Sequence, residues 1–210
     1  MPSTPCLQIQ IHPQTPQQRL LRQAVTILEE DGVLVYPTDT TYGLGCTLTN
    51  RRGVERIIQI RKLPANHQFS ILCADLSEIA HLARVDNRTY RLLKRFLPGP
   101  YTFILEASHD VPRTILPKRR TIGLRIPANP ICLSLLRELG RPLLSSSMRL
   151  PSGDILTDPD LIREQVASMV DLIIDGGILL SEPSTVVDLT GSVPQILRHG
   201  AGDPAPFLPT

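Results

Sequence analysis

Val33-Leu34-Val35-Tyr36-Pro37-Thr38-Asp39-Thr40-Thr41-Tyr42-Gly43-Leu44-Gly45 is the stretch on which the fold turns. Its first four residues are a short apolar run with strand character. Pro37, which has no amide hydrogen to give to a sheet ladder, ends that run. Beyond the proline the reading is a loop with three threonine hydroxyls, one carboxylate and two glycines. Glycine lets a backbone approach a ligand closely, and threonine carries a donor and an acceptor on a stiff stem. A polar loop at the carboxyl end of a strand is a common position for a small-molecule site. A connection whose Thr and Asp only cap the next element would use the same residues.

Working outward, residues 16–31 carry Leu20, Leu21, Ala24, Val25 and Leu28 at helical spacing, closed by Gly32. Further helices are expected over 52–61, from Asp75 onward, and over 89–96, 131–139 and 159–167. Strands are expected over 69–73, 101–106, 121–126 and 172–174, and Leu143-Leu144 runs into Ser145-Ser146-Ser147. Thr185–Leu189 and Gln195–Leu197 flank a Thr190-Gly191 turn and read as a hairpin. Strands alternate with helices, but the hairpin and the 103–125 region call for antiparallel pairs. The expected fold is therefore α/β (α+β). It is a single domain over 1–210, an open, twisted mixed sheet with packed helices and a concave cationic face.

The composition fits one core-forming domain: 210 residues, 41% apolar and 20% charged. No run approaches the ~18 apolar residues of a membrane span. Met1 to Gln10 lacks a basic and an apolar region of the export type, so a cytoplasmic protein is expected. Cys6, Cys46, Cys73 and Cys132 are scattered without metal-ligand spacing, as reduced thiols are. A net charge of +2 says little about partners, but its distribution says more. Arg51, Arg52 and Arg56 suit a solvated helix face. Lys118, Arg119 and Arg120 are adjacent cations whose repulsion an anionic ligand or a polynucleotide would relieve.

No phosphate-binding glycine loop, dinucleotide fingerprint or nucleophile elbow is present, and Asp39 has no histidine beside it. Hydroxyls and two arginines instead recur at element ends: Thr38, Thr121 with Arg125, Ser145-Ser146-Ser147, Ser184-Thr185 and Arg198. Converging on one face, they would make a donor-rich cationic cavity for a ligand bearing phosphate and carboxylate groups. Catalysis there would come from positioning and charge stabilisation.

The opening motif, Pro98-Gly99-Pro100, Thr121-Ile122-Gly123-Leu124-Arg125, Ser184-Thr185-Val186-Val187-Asp188 and Arg198-His199-Gly200 together resemble the YrdC-like family, specifically its YciO branch. The resemblance runs from about Ile9 to Phe207, with the motifs in the same order. It implies a threonylcarbamoyl-AMP synthase, which joins L-threonine, bicarbonate and ATP, with Mg2+ arriving on the nucleotide, for the t6A modification of tRNA. By the same resemblance Thr38, Arg125 and Thr185 hold the threonine. Arg61, Thr121, Ser146, Ser184 and Arg198 hold the nucleotide and its phosphates. Lys118, Arg119 and Arg120 are candidate contacts to tRNA or double-stranded RNA. A second class of function uses the same face as a nucleotide- or RNA-binding module without the chemistry.

Two positions depart from the family pattern. Its Lys-x-Arg-Pro reads Arg61-Lys62-Leu63-Pro64, and its Ser-Ala-Asn reads Ser146-Ser147-Met148. If both departures face the ligand, Leu63→Arg and Met148→Asn are expected to tighten ATP.

Overall fold

The computed structural model describes residues 6–64, 67–112, 120–180 and 182–208. Among them one mixed sheet contains β1 (Leu7–Gln10), β2 (Leu34–Tyr36), β3 (Gly43–Thr47), β4 (Ser70–Leu72), β5 (Tyr101–Glu106), β6 (Thr121–Arg125), β7 (Leu143–Ser147), β8 (Leu172–Asp175), β9 (Thr185–Asp188) and β10 (Gln195–Arg198). Their order is β1-β8-β2-β3-β7-β4-β6-β5-β9-β10. The pairs β1/β8, β2/β8, β4/β6 and β5/β9 are parallel. The other neighbours, including the β9/β10 hairpin and β5/β6, are antiparallel. The mixed α/β architecture is the one expected.

The helices are α1 (Gln18–Glu29), α2 (Arg51–Arg61), α3 (Leu76–Leu82), α4 (Asn87–Phe96), α5 (Pro130–Leu139) and α6 (Pro159–Val166). Asn50, Asp75, Asp86, Asn129 and Asp158 cap α2 to α6, each accepting from backbone N–H groups of the first turn. The turn after α1 is made by Asp31 at φ 61°, not by Gly32. None of these helices is long and apolar enough to cross a membrane.

Residues paired directly across strands share a face. The register Tyr36↔Gly43↔Ser147, Gly45↔Ser145↔Ser70↔Gly123 and Leu72↔Arg125 therefore defines one side of the sheet. Val35↔Leu44↔Ser146 and Leu144↔Ile71↔Leu124↔Phe103↔Val187 define the other. Apart from Ser146, that second side is apolar, packed with α2 and α6 at one end and α3 and α4 at the other. The first side is divided. Around β1, β8 and β2 it is apolar and packs with α1 and α5. From β7 to β9 it carries Ser145, Ser147, Ser70, Thr102 and Arg125 instead.

The sequence reading of one segment differs from the structure. The segment after Pro37 is not all loop, because Gly43–Thr47 returns as the fully buried strand β3. Its glycines make room for an aromatic ring, and Gly43 also lines a polar cavity at the strand ends. A Cβ on Gly43 would lie 2.7 Å from the Tyr36 ring, and one on Gly45 2.6 Å from the Tyr36 hydroxyl and 2.4 Å from the Leu144 carbonyl oxygen. The periodicity failed because glycine contributes nothing to an apolar alternation. The three serines form the carboxyl end of β7, into which Leu143-Leu144 runs as expected.

Replacing Gly45 with Ala is expected to destabilise the fold by about 1–3 kcal/mol through overpacking. Urea unfolding should show a lower midpoint with an unchanged slope. An unshifted midpoint would mean that the ring and the facing strand yield without cost.

Candidate functional site

Where the first face turns polar, a cavity of about 250 Å³ opens at the strand ends. Thr38, Arg61, Arg125, Ser146, Ser184 and Arg198 line it, with Ser70, Thr102, Ser145, Ser147, His67 and Arg149. Larger grooves beside α4 and beside α2 lack this convergence of hydroxyls and guanidiniums. The chemistry of the motifs lies in the smaller one.

Each cation is held differently. Arg125 ends β6 with its side chain 8% exposed, and its Nη2 donates to Asp39 Oδ1 at 2.5 Å. Both groups remain incompletely satisfied, since Arg125 Nε and Asp39 Oδ2 are buried without a partner. Arg198 donates from Nε to the Ser184 carbonyl and from Nη2 to Ser184 Oγ, both at 3.0 Å. Ser184 Oγ in turn meets Thr102 Oγ1 at 2.8 Å, so β5, β9 and β10 are tied at the cavity wall. Arg61, at the end of α2, donates to the Ser147 carbonyl. Thr38 donates its hydroxyl to the Thr41 carbonyl at 2.6 Å, so a ligand would meet it as an acceptor.

The electrostatics are those of cations crowded together in a half-buried cavity. Burial, then the charge of Arg149, draws Arg61 down to about 10. Burial, then Arg149 and Arg125, lowers Arg198. His67 is lowered by burial and then by Arg61. Among the described residues the only carboxylate paired with any of these four arginines is Asp39. Guanidiniums crowded in this way favour a ligand carrying several negative charges.

A family model for the Sua5/YciO/YrdC domain, described as "Telomere recombination", matches residues 26–200. The chain belongs to the Sua5/YciO/YrdC family. It is 50% identical over 200 residues to the YciO protein of Escherichia coli K12, covering 94% of this chain and 97% of that one. The crystal structure of E. coli YciO superposes with a TM-score of 0.93 at 48% identity, over 97% of this chain and all of the other. A threonylcarbamoyl-AMP synthase of Chromobacterium violaceum is 33% identical over 179 residues, 84% of this chain and 92% of that protein. Pyrococcus abyssi Sua5 complexed with L-threonine superposes with a TM-score of 0.86 at 31% identity. The superposition covers 92% of this chain and 57% of that longer one.

Of the residues singled out in the sequence, Thr38, Arg61, Arg125, Ser146, Ser184 and Arg198 share the cavity. Thr121 stands at the other end of β6, opposite Glu106. Thr185 is fully buried and ties down the C-terminal segment, donating to the Gly202 carbonyl at 2.6 Å and accepting from the Gly200 N–H at 3.0 Å. Arg120 is exposed, while Lys118 and Arg119 lie outside the described residues. Arg149 was missed, as no motif contains it. Its signal was strand alternation, which puts Arg149 in step with Ser145 and Ser147.

The two departures from the family pattern do not face the ligand as supposed. Met148 is fully buried in the apolar cluster with Tyr42, Ile57 and Ile162. Leu63 packs partly buried against the same cluster. An asparagine at 148 would put an amide where the described neighbours are apolar, so the expected tightening of ATP is withdrawn.

Met148→Asn is instead expected to cost about 2–5 kcal/mol of stability, from lost packing and an unpaired amide. Chemical denaturation checks this, and unchanged stability would mean the side chain turns toward the cavity. A second expectation concerns pH. The folded chain resists protonating His67 more than the unfolded chain does, so its contribution lowers stability as pH falls through the ordinary histidine range. A polyanion beside Arg61 should raise the His67 midpoint, which imidazole NMR titration with and without inorganic tripolyphosphate would read. An unmoved midpoint would show that the anion binds elsewhere.

Proposed function

We propose that this protein forms threonylcarbamoyl-AMP and pyrophosphate from L-threonine, bicarbonate and ATP. The observation that carries the reading is the cavity itself, where Arg61, Arg125, Arg149 and Arg198 converge and, among the described residues, only Asp39 pairs with any of them. Support comes from the synthase relative at 33% identity and from the Sua5 structure complexed with L-threonine. In this reading Arg125, which lines the cavity, pairs with the amino-acid carboxylate. Arg61 and Arg198 take phosphate oxygens.

The reaction needs no side-chain nucleophile. The amine of threonine adds to bicarbonate carbon with loss of water, giving a carbamate. A carbamate oxygen then attacks the α-phosphorus of ATP, the bond to the β-phosphate oxygen breaks, and pyrophosphate leaves. Guanidiniums lower the barrier by aligning two anions that otherwise repel and by stabilising charge on the leaving group. Magnesium enters as the counter-ion of ATP. Among the described residues no three His, Cys, Asp or Glu side chains gather to hold an ion of the protein's own. The product is an activated carbamoyl group of the kind transferred to tRNA in t6A formation.

Purified protein given ATP, L-threonine, bicarbonate and magnesium should release pyrophosphate, with threonylcarbamoyl-AMP detected by mass spectrometry. Omitting threonine or bicarbonate should abolish both. Arg125→Ala should lower threonine affinity about 10- to 100-fold, the loss of a charge-assisted pair. ATP binding without threonine-dependent product would overturn the synthase reading and leave a nucleotide-binding module.

A further inference from the structure

Arg149 lies just beyond β7, on the strand face shared with Ser145 and Ser147, and lines the cavity with them. Its backbone position is fixed from both sides. The Met148 N–H donates to the Tyr42 carbonyl at 2.7 Å, and the Met148 carbonyl accepts from the Leu156 N–H at 3.1 Å. Arg149 itself bridges Ile155, and a tight turn closes beyond it, with the Leu150 N–H donating to the Asp154 carbonyl at 2.8 Å. The buried Met148 side chain is the plug that holds this turn against the core.

The guanidinium it presents has no ion-pair or side-chain hydrogen-bond partner among the described residues, unlike Arg61, Arg125 and Arg198, which are each anchored by at least one bond. Arg149 is also the cation that acts on both Arg61 and Arg198, and so stands near the two phosphate candidates at once. A like charge set beside two others costs stability unless a multiply charged anion joins them. At the end of α2, meanwhile, Lys62 adopts the left-handed conformation, its side chain exposed, and Leu63 packs toward the core. That end of the cavity therefore has one guanidinium from its own helix, and a second from the segment just beyond β7.

We propose that Arg149 is a polyphosphate-binding residue, completing with Arg61 and Arg198 a three-arginine cradle for the terminal phosphates of a nucleoside triphosphate. The assignment of a triphosphate rests on the function proposed above; the cradle itself rests on the geometry. It makes the number of phosphates, rather than the base, the quantity that Arg149 senses.

Calorimetric titration of the wild type and of Arg149→Gln with ATP, ADP, AMP and inorganic tripolyphosphate tests this. The wild type should bind ATP more tightly than ADP, and ADP more tightly than AMP. Arg149→Gln should weaken ATP and tripolyphosphate about 10- to 100-fold and leave AMP within about twofold. Arg149→Lys should recover part of the loss, because it restores the charge without the fork. An equal loss for AMP and ATP, or no loss for either polyphosphate, would overturn the cradle. Wild-type binding of tripolyphosphate but not ATP would uphold the cradle and sink the nucleotide reading. Should Arg149→Gln fail to fold, phenylglyoxal labelling of the wild-type chain decides. ATP should protect the peptide containing Arg149 and AMP should not, and labelling equal in both would overturn the proposal.

Discussion

The phenol of Tyr36 lying across Gly43 and Gly45 is the contact on which the site depends. The ring packs with the apolar cluster of α1 and α5, while its hydroxyl donates to Ser145 Oγ at 2.7 Å. Burial keeps that phenol protonated, so it acts only as a neutral hydrogen-bonding group. One side chain thus closes the apolar half of a sheet face and opens the polar half. The two glycines are the condition for it, since any Cβ there would push the ring off the strand. Arg125, Ser70 and Ser145 can then face solvent-sized space instead of a helix.

The polar half is costly to maintain. Four guanidiniums surround the cavity, and one buried ion pair, Arg125 with Asp39 at 11% exposure, offsets part of their charge. Desolvation of a paired charge commonly cancels much of its Coulombic gain, so that pair is better understood as orientation than as stability. The rest of the fold carries the burden through continuous apolar packing on the opposite face, where β2, β3, β7 and β4 to β9 meet four helices. Met148 and Arg149 show the division within two residues. One is buried in that packing, and the next extends into the cavity.

Much of the site was legible because its residues fall at strand ends, where a hydroxyl or an arginine interrupts an apolar run. Thr38 after Pro37, Arg125 before Pro127, Ser184 before Thr185-Val186-Val187 and Arg198 at the hairpin end all carry that signature. Thr121 and Thr185 carry it too, yet one stands at the far end of β6 and the other bonds the segment at Gly200–Gly202. Composition marks a polar residue at a boundary but does not say which end of the strand faces the cavity. Arg149 was invisible for the opposite reason. It belongs to no motif, and its direction follows only once the pairing of β7 fixes which face Ser145 and Ser147 take.

The sequence by itself determined the family, the mixed α/β architecture and the identity of most cations around the cavity, because ordered motifs and hydrophobic runs are local properties of the chain. Only the tertiary structure decided which face each side chain takes. The glycines of β3 proved to serve Tyr36, Met148 and Leu63 turned to the core, and Arg149 joined Arg61 and Arg198 from distant parts of the sequence. The physical reason is register. Strand pairing fixes sidedness through hydrogen bonds to other strands, and a shift of one residue would exchange every inward side chain for its outward neighbour.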